Sequence, residues 1–235
     1  MNQEIDHHYI LHHILKRGNW RVLVRPVRFN KDEISLEKAR DIVRNNEVRL
    51  RSWKYPMWLH NNSSSGYGTI LNHSNFVECI IDHHVNKEIW RFYQSGQFVH
   101  RFSFREDWPT NTKTFDALNA LYRITEIFRF AASVVSKYKM FDAGVTIRIG
   151  LYDLLNRKLV TPEPDSLIFG EYKCHEEYLQ FGDNYTKEKL VGTSVEQALD
   201  FALYFFTRFN WLNPELKHLL REEQQNLIRG ASWSY

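Results

Sequence analysis

Glu88-Ile-Trp-Arg-Phe-Tyr-Gln-Ser-Gly-Gln-Phe-Val-His-Arg-Phe-Ser-Phe104 consists of two runs rich in aromatic and β-branched residues, separated by Ser95–Gly96. Two such runs around a small-residue turn read as a β-hairpin. A two-residue turn sets Tyr93 opposite Phe98, Phe92 opposite Val99, Arg91 opposite His100, Trp90 opposite Arg101 and Ile89 opposite Phe102. Opposed residues share a face. One face then carries Ile89, Tyr93, Phe98, Phe102 and Phe104, interrupted by Arg91, His100 and Lys87, and is the expected core. The other carries Trp90, Phe92 and Val99 with Arg101, Ser103 and Arg105, and sets Arg101 beside Trp90 in a position suited to cation–π contact.

Outward from this hairpin, strands are expected over Ser52–Leu59, Thr69–Asn72 and Phe76–Asp82 before it, with Lys87–Gln94 and Gln97–Arg105 as its two arms. Residues 114–138 repeat apolar positions at helical spacing over a broad stripe, which predicts a deeply buried helix. A polar, His-rich helix is expected within residues 3–16, ending at Gly18. Trp20–Phe29 reads as a strand that Pro26 confines to an edge or a bulge. Residues 36–50 form a helix capped by Ser35. Gly144–Leu151 is a further strand, Thr193 with Glu196 forms a capping box for a helix through Trp211, and Asn213–Pro214 opens a last helix. The fold class is α+β, an antiparallel β-meander packed against several helices. The meander of residues 52–105 is expected under the 114–138 and 194–211 helices. No linker divides the chain, so residues 1–235 read as a single domain with a short N-terminal helix over about 1–18. Loops are expected at Asn61–Gly68 and Thr161–Asp165.

The 235 residues are 43% hydrophobic, 15% aromatic and 25% charged, which excludes a disordered, collagenous or low-complexity chain. A chain of this size buries enough surface to fold without staples. Two cysteines, Cys79 and Cys174, exclude a disulfide framework and a four-thiolate zinc site. No apolar run reaches the roughly 18 residues of a membrane span. Met1–Glu4 lacks a basic region followed by an apolar run, so no signal peptide is expected. A reduced, cytoplasmic location without a membrane partner is the resulting expectation.

Net charge is +3, unevenly spread. Residues 16–54 hold twelve Lys/Arg against five Asp/Glu, and residues 161–200 hold three against nine. Such asymmetry marks either two solvated surfaces or a nucleic-acid face and a protein-docking face. Were the basic region and the hairpin face one surface, Arg21, Arg25, Arg28, Arg101 and Arg105 would neutralise phosphates while Trp90 stacked a base. The alternative, in which a neighbouring helix covers Trp90 and Phe92, remains open from sequence.

No catalytic constellation emerges. Asp82–His83–His84 spells the triplet of the DHH phosphoesterases, but no Asp-x-Asp motif precedes it, so residues 82–86 read as a polar hairpin turn. Pro164–Asp165 with Glu171-Tyr-Lys173 spells the PD-(D/E)xK nuclease motif. Asp165 and Glu171 would lie about 20 Å apart on one extended strand, too far for one magnesium ion to bridge. His8 and His12 share a helix face without the glutamate of a His-Glu-x-x-His site, and Cys174–His175 is the other soft cluster. Ser63–Gly68 lacks the Lys-Ser/Thr of a P-loop, and no Gly-x-Ser-x-Gly elbow occurs. No metal, cofactor or catalytic residue is expected.

Glu88–His100 together with Tyr122-Arg-Ile-Thr-Glu-Ile-Phe-Arg-Phe-Ala131 resembles the module found downstream of Schlafen/AlbA-type DNA-binding domains in bacterial proteins, some in defence-like settings. The resemblance covers about residues 50–160. Residues 1–50 lack the glycine-rich segment of a Schlafen/AlbA-type domain, so no such domain is carried here. The resemblance implies an accessory or sensing module and transfers no catalytic residue. The leading expectation is therefore a non-catalytic recognition or regulatory module acting with a partner effector protein in a prokaryotic cytoplasm, in an antiviral-defence setting. The alternatives are a nucleic-acid-binding protein using the basic and aromatic face, and a metal-dependent nuclease or phosphoesterase built around Asp82, His83 and His84.

Overall fold

The computed structural model describes residues 6–31, 33–58, 67–84, 86–108, 110, 112–161, 171–213 and 215–230. In chain order the elements are α1 (His7–Leu15), β1 (Asn19–Pro26), α2 (Leu36–Arg44), β2 (Gly68–Asn72), β3 (Phe76–His83), β4 (Asn86–Tyr93), β5 (Phe98–Ser103), β6 (Thr114–Asp116), α3 (Ala117–Lys137), β7 (Val145–Tyr152), β8 (Lys158–Val160), β9 (Tyr172–Lys173), β10 (Tyr178–Tyr185), α4 (Lys187–Arg208) and α5 (Leu216–Ile228). Seven strands form an antiparallel sheet in the order β10-β7-β1-β5-β4-β3-β2, and β6, β8 and β9 form a small second sheet. The fold is α+β, as the pattern of apolar residues predicts. The expected loops at 61–68 and 161–165, and Pro164–Asp165 of the nuclease-like motif, lie largely outside the described residues.

Alternation along each strand sends one set of side chains to a helical layer. Trp20, Val22 and Val24 of β1, Phe98 and Phe102 of β5, and Ile147, Ile149 and Leu151 of β7 are buried there. Above them runs α3, buried on nearly every turn and packed in turn against α4 and α5. Helix starts are capped where a side-chain oxygen accepts an otherwise orphaned amide: Ser35 from Lys38, Asp116 from Asn119 and Thr186 from Lys189. The last of these corrects the expected start of α4. Thr193 sits inside the helix at a kink, with φ −130° and ψ 20°, and its hydroxyl donates to the Lys189 carbonyl. On the opposite side of the sheet α1 buries Ile10 and Ile14 against Ile80 and Ile89.

The hairpin register differs from expectation by one residue. Tyr93 N–H donates to the Gln97 carbonyl, Gly96 N–H donates to the Tyr93 carbonyl, and Gly96 has φ 80°. The connection is thus a three-residue loop, Gln94–Ser95–Gly96, closed by a left-handed glycine. Phe92 faces Phe98, Trp90 faces His100 and Ile89 faces Arg101. A one-residue slip exchanges the faces. Trp90 and Phe92 belong to the core with Phe98, His100 and Phe102, whereas Arg101 faces outward with Ile89 and Arg91.

Two further expectations fail for identifiable reasons. Residues 52–58 form no strand. Pro56 removes a ladder donor, and the segment instead serves the core: Trp90 Nε1 donates to the Met57 carbonyl at 2.8 Å and stacks on Trp58 at 5.6 Å. β1 is central, between β7 and β5, although it contains Pro26. The proline is tolerated because it is the strand's last residue, and pairing with β5 already ends at Val24.

A polar triplet crosses this core. His100 Nε2 lies 3.0 Å from Glu88 Oε2 and Nδ1 lies 3.2 Å from the Tyr55 hydroxyl, with all three residues at 0–1% exposure. A neutral imidazole donating to Glu88 and accepting from Tyr55 satisfies both bonds. Burial, opposed by Glu88, holds the His100 imidazole below its usual 6.5, so the unfolded chain takes up the proton first. Stability from this site is therefore complete above pH 6.5 and declines below it, by up to about 1.4 kcal/mol per pH unit. Urea unfolding between pH 7 and 5 should show this decline, and His100→Gln should remove its share.

Candidate nucleic-acid interface

Among the described residues α1 covers the outer face of the sheet over β3, β4 and part of β5. Across β10, β7 and β1 no described helix covers it, and the alternation that buries Trp20, Val22 and Val24 turns Arg21 and Arg25 outward. In β7 the same alternation exposes Arg148. Arg21 lies directly opposite Arg101, and Arg148 opposite Leu23, itself opposite Val99. Arg21, Arg25 and Arg148 are exposed and Arg101 is half-buried.

Like charges directly opposed on a sheet are destabilising. Here they are uncompensated: among the described residues no carboxylate lies within ion-pair distance of Arg21, Arg25, Arg101 or Arg148. Burial first, then the charges of Arg21 and Arg91, pull the Arg101 guanidinium below its ordinary value. The acids on this face are already engaged further along it. Glu78 bonds Arg91 Nε at 2.6 Å and His73 Nε2 at 3.2 Å, and Asp82 pairs with Lys87.

The aromatic component comes from the far end of the open face. Tyr152 and Tyr178, paired across β7 and β10, stack at 5.9 Å with planes 16° apart. The Tyr152 ring lies over Gly150, where a Cβ would come within 2.9 Å of Cε2. That glycine, opposite Arg21, lets the ring come close to the sheet backbone beside the arginines. Gln180 and Asn184 of β10 add exposed polar groups. A surface of guanidinium groups, amides and flat rings fits a phosphodiester backbone with unstacked bases.

Of the six residues expected from sequence, the structure brings Arg21, Arg25 and Arg101 onto one face. Arg28 follows the end of β1 and is exposed. Arg105 lies beyond β5 in a short 3-10 turn and lines a different cleft. Trp90 is fully buried beneath Trp58 on the opposite side of the sheet and is out of reach of a base. Arg148, Tyr152 and Tyr178 were not anticipated, although Val-Thr-Ile-Arg-Ile-Gly-Leu-Tyr152 alternates clearly and assigns Thr146, Arg148, Gly150 and Tyr152 to the outer face.

Among the described residues the catalytic alternatives find no matching geometry. β3 and β4 pair out to His83 and Asn86, so Asp82 lies on a hairpin stem, held by Lys87, while His83 packs against Trp53 and Tyr67. Glu171 pairs with Lys158 at 2.6 Å and Lys173 at 2.9 Å, and these bonds lower its carboxyl to about 2. Among the described residues no three His, Cys, Asp or Glu side chains are grouped to hold a metal ion, and no helix is long and apolar enough to cross a membrane.

Comparison with known proteins is sparse. No family model matches the chain, and no solved structure matches it. A segment of 67 residues is 39% identical to part of the chloroplastic acetyl-coenzyme A carboxylase carboxyl transferase subunit beta of Chlorella vulgaris, covering 28% of this chain and 16% of that protein. The chain is therefore similar to one sixth of that subunit.

Proposed function

We propose that this protein is a non-catalytic recognition module that binds single-stranded nucleic acid across the open face of its sheet. The observation that carries this reading is the directly opposed pair Arg21 and Arg101, flanked by Arg25 and Arg148, with no carboxylate in ion-pair distance among the described residues. Such repulsion is relieved when an anion spans the pair. Tyr152 and Tyr178 offer the base-stacking surface. In a cell the module acts with an effector protein, to which it contributes recognition.

Fluorescence anisotropy with labelled single-stranded DNA and RNA tests this. Four phosphate contacts predict that log affinity falls with log salt at a slope of about −3, since each contact on a single strand contributes about −0.7. Arg21→Ala and Arg101→Ala should each flatten the slope by about 0.7. Tyr178→Ala should weaken binding by about 1–3 kcal/mol with the slope unchanged. Absence of binding at low salt would overturn the nucleic-acid reading and favour an acidic protein surface as the ligand.

A further inference from the structure

A second concave site lies at the end of the sheet away from the arginine face, between the first turns of α3 and the segment after α2. Its floor is Trp20, stacked on Phe102 at 5.5 Å and 13°. Its walls carry Arg51, Arg105 and Arg123, and no carboxylate lines it among the described residues. Glu126, buried behind it, accepts from Arg51 Nε at 2.9 Å and Nη2 at 2.7 Å and from Arg123 Nη1 at 3.2 Å. The third Arg51 nitrogen donates to Asn119 at 2.8 Å. One carboxylate thus orients two guanidinium groups and neutralises one of them.

The rest of the charge balance lies outside the cleft. Glu106, in the 3-10 turn after β5, accepts from the Asp116 amide and the Asn119 side chain, Asp116 caps α3, and burial raises both carboxyls. Arg105 is exposed, and its carbonyl accepts from the Trp108 amide at 3.1 Å. Its guanidinium makes no side-chain hydrogen bond or ion pair among the described residues, although its charge reaches the Asp116 carboxylate. At the rim stands Trp53, 40% exposed, with its ring edge-on to His83 at 5.4 Å.

The cleft, open on one side, has a volume of about 50 Å³. That is the space of one or two water molecules, or of one phosphoryl group, and too little for a whole organic ligand. A ligand must therefore seat an anionic group inside and leave its remainder at the rim, against an indole. We infer that the cleft binds a nucleoside monophosphate, with its phosphate between Arg105 and Arg123 and its base on Trp53. Arginine supplies the fork that matches phosphate oxygens, and indole supplies the flat surface that a base stacks on. This site is independent of the arginine face, which lies on the other side of the sheet.

The test is titration of the full chain with AMP, GMP, CMP and UMP, and with inorganic phosphate as the minimal probe, followed by tryptophan fluorescence and calorimetry. At least one nucleotide should bind saturably and more tightly than phosphate. Arg105→Ala should weaken both by about tenfold or more, the loss expected for a charge-assisted hydrogen bond. Trp53→Ala should weaken nucleotide binding and leave phosphate binding unchanged, with Trp53→Phe restoring part of the loss. Both side chains are exposed, so unchanged melting curves will show that the variants are folded. The proposal is overturned if no nucleotide binds saturably at millimolar concentration, if phosphate binds as tightly as every nucleotide, or if Arg105→Ala leaves affinity unchanged. Oligonucleotide binding measured on the same Arg105→Ala protein separates this result from that of the sheet face.

Discussion

Trp90→Ala should destabilise the protein by about 3–5 kcal/mol, the range seen when a large buried aromatic is truncated. Trp90 has no exposed surface and stacks on Trp58, and its Nε1–H satisfies the Met57 carbonyl at 2.8 Å. The substitution leaves a cavity between the sheet and the segment after α2, and it leaves that carbonyl with only a weak contact from Cys79 Sγ at 4.0 Å. For a chain of this length about 3–5 kcal/mol corresponds to a fall in melting temperature of roughly 10 °C. Trp90→Phe should recover part of the packing and none of the hydrogen bond, and so fall between the two. Chemical unfolding followed by circular dichroism measures all three. Nucleic-acid affinity of the refolded variant, measured below its transition, should match the parent because no part of Trp90 reaches the open face. A variant of unchanged stability with selectively weakened binding would return Trp90 to the surface and refute the hairpin register.

That register also shows where sequence reading fails. Between residues 88 and 104 apolar side chains occur at both parities: Ile89 and Val99 on one face, Trp90, Phe92, Phe98 and Phe102 on the other. Both faces are apolar because both are covered, one by α3 and the other by α1 through Ile10 and Ile14. Alternation then cannot choose the face, and the choice rests on whether Gly96 closes a loop of two or three residues. β1 and β7 pose no such ambiguity, since the polar positions Arg21, Arg25, Thr146 and Arg148 alternate with the core; the arginines meet water and Thr146, buried, donates to Asn184. β10 is hidden for a different reason. As an edge strand covered on one side it needs few apolar residues, and Tyr-Leu-Gln-Phe-Gly-Asp-Asn-Tyr185 offers only Leu179, Phe181 and Tyr185 as inward apolar positions, so no strand is expected there from sequence. Arg21, Arg25 and Arg101 are therefore legible in the sequence, whereas placing Arg148, Tyr152 and Tyr178 beside them required the neighbours that pairing supplies.

Arg157→Met is expected to be the most damaging substitution of a charged residue in the chain, costing about 3–5 kcal/mol. The Arg157 side chain is fully buried and all five of its N–H donors are used. Nη1 and Nη2 grip Asp107 in a fork at 2.7 and 2.9 Å; the other donors reach the Thr114 carbonyl, the Asp153 carbonyl and the Asp153 carboxylate. Asp107 also accepts from the Gly18 amide at 2.8 Å, so one guanidinium ties the entry to β1, the turn after β5 and the small sheet together. Methionine fills much of the volume but strands the Asp107 carboxylate in the interior without a counter-charge. Arg157→Lys should rescue little, because a point charge cannot reproduce the fork or the remaining bonds. Adding Asp107→Asn to Arg157→Met removes the stranded charge while keeping an acceptor for the Gly18 amide. The double variant should therefore be more stable than Arg157→Met alone, and their non-additivity in urea unfolding should measure a coupling within about 0.5–3 kcal/mol. Strict additivity of the two single effects would show that the ion pair does not organise this end of the sheet.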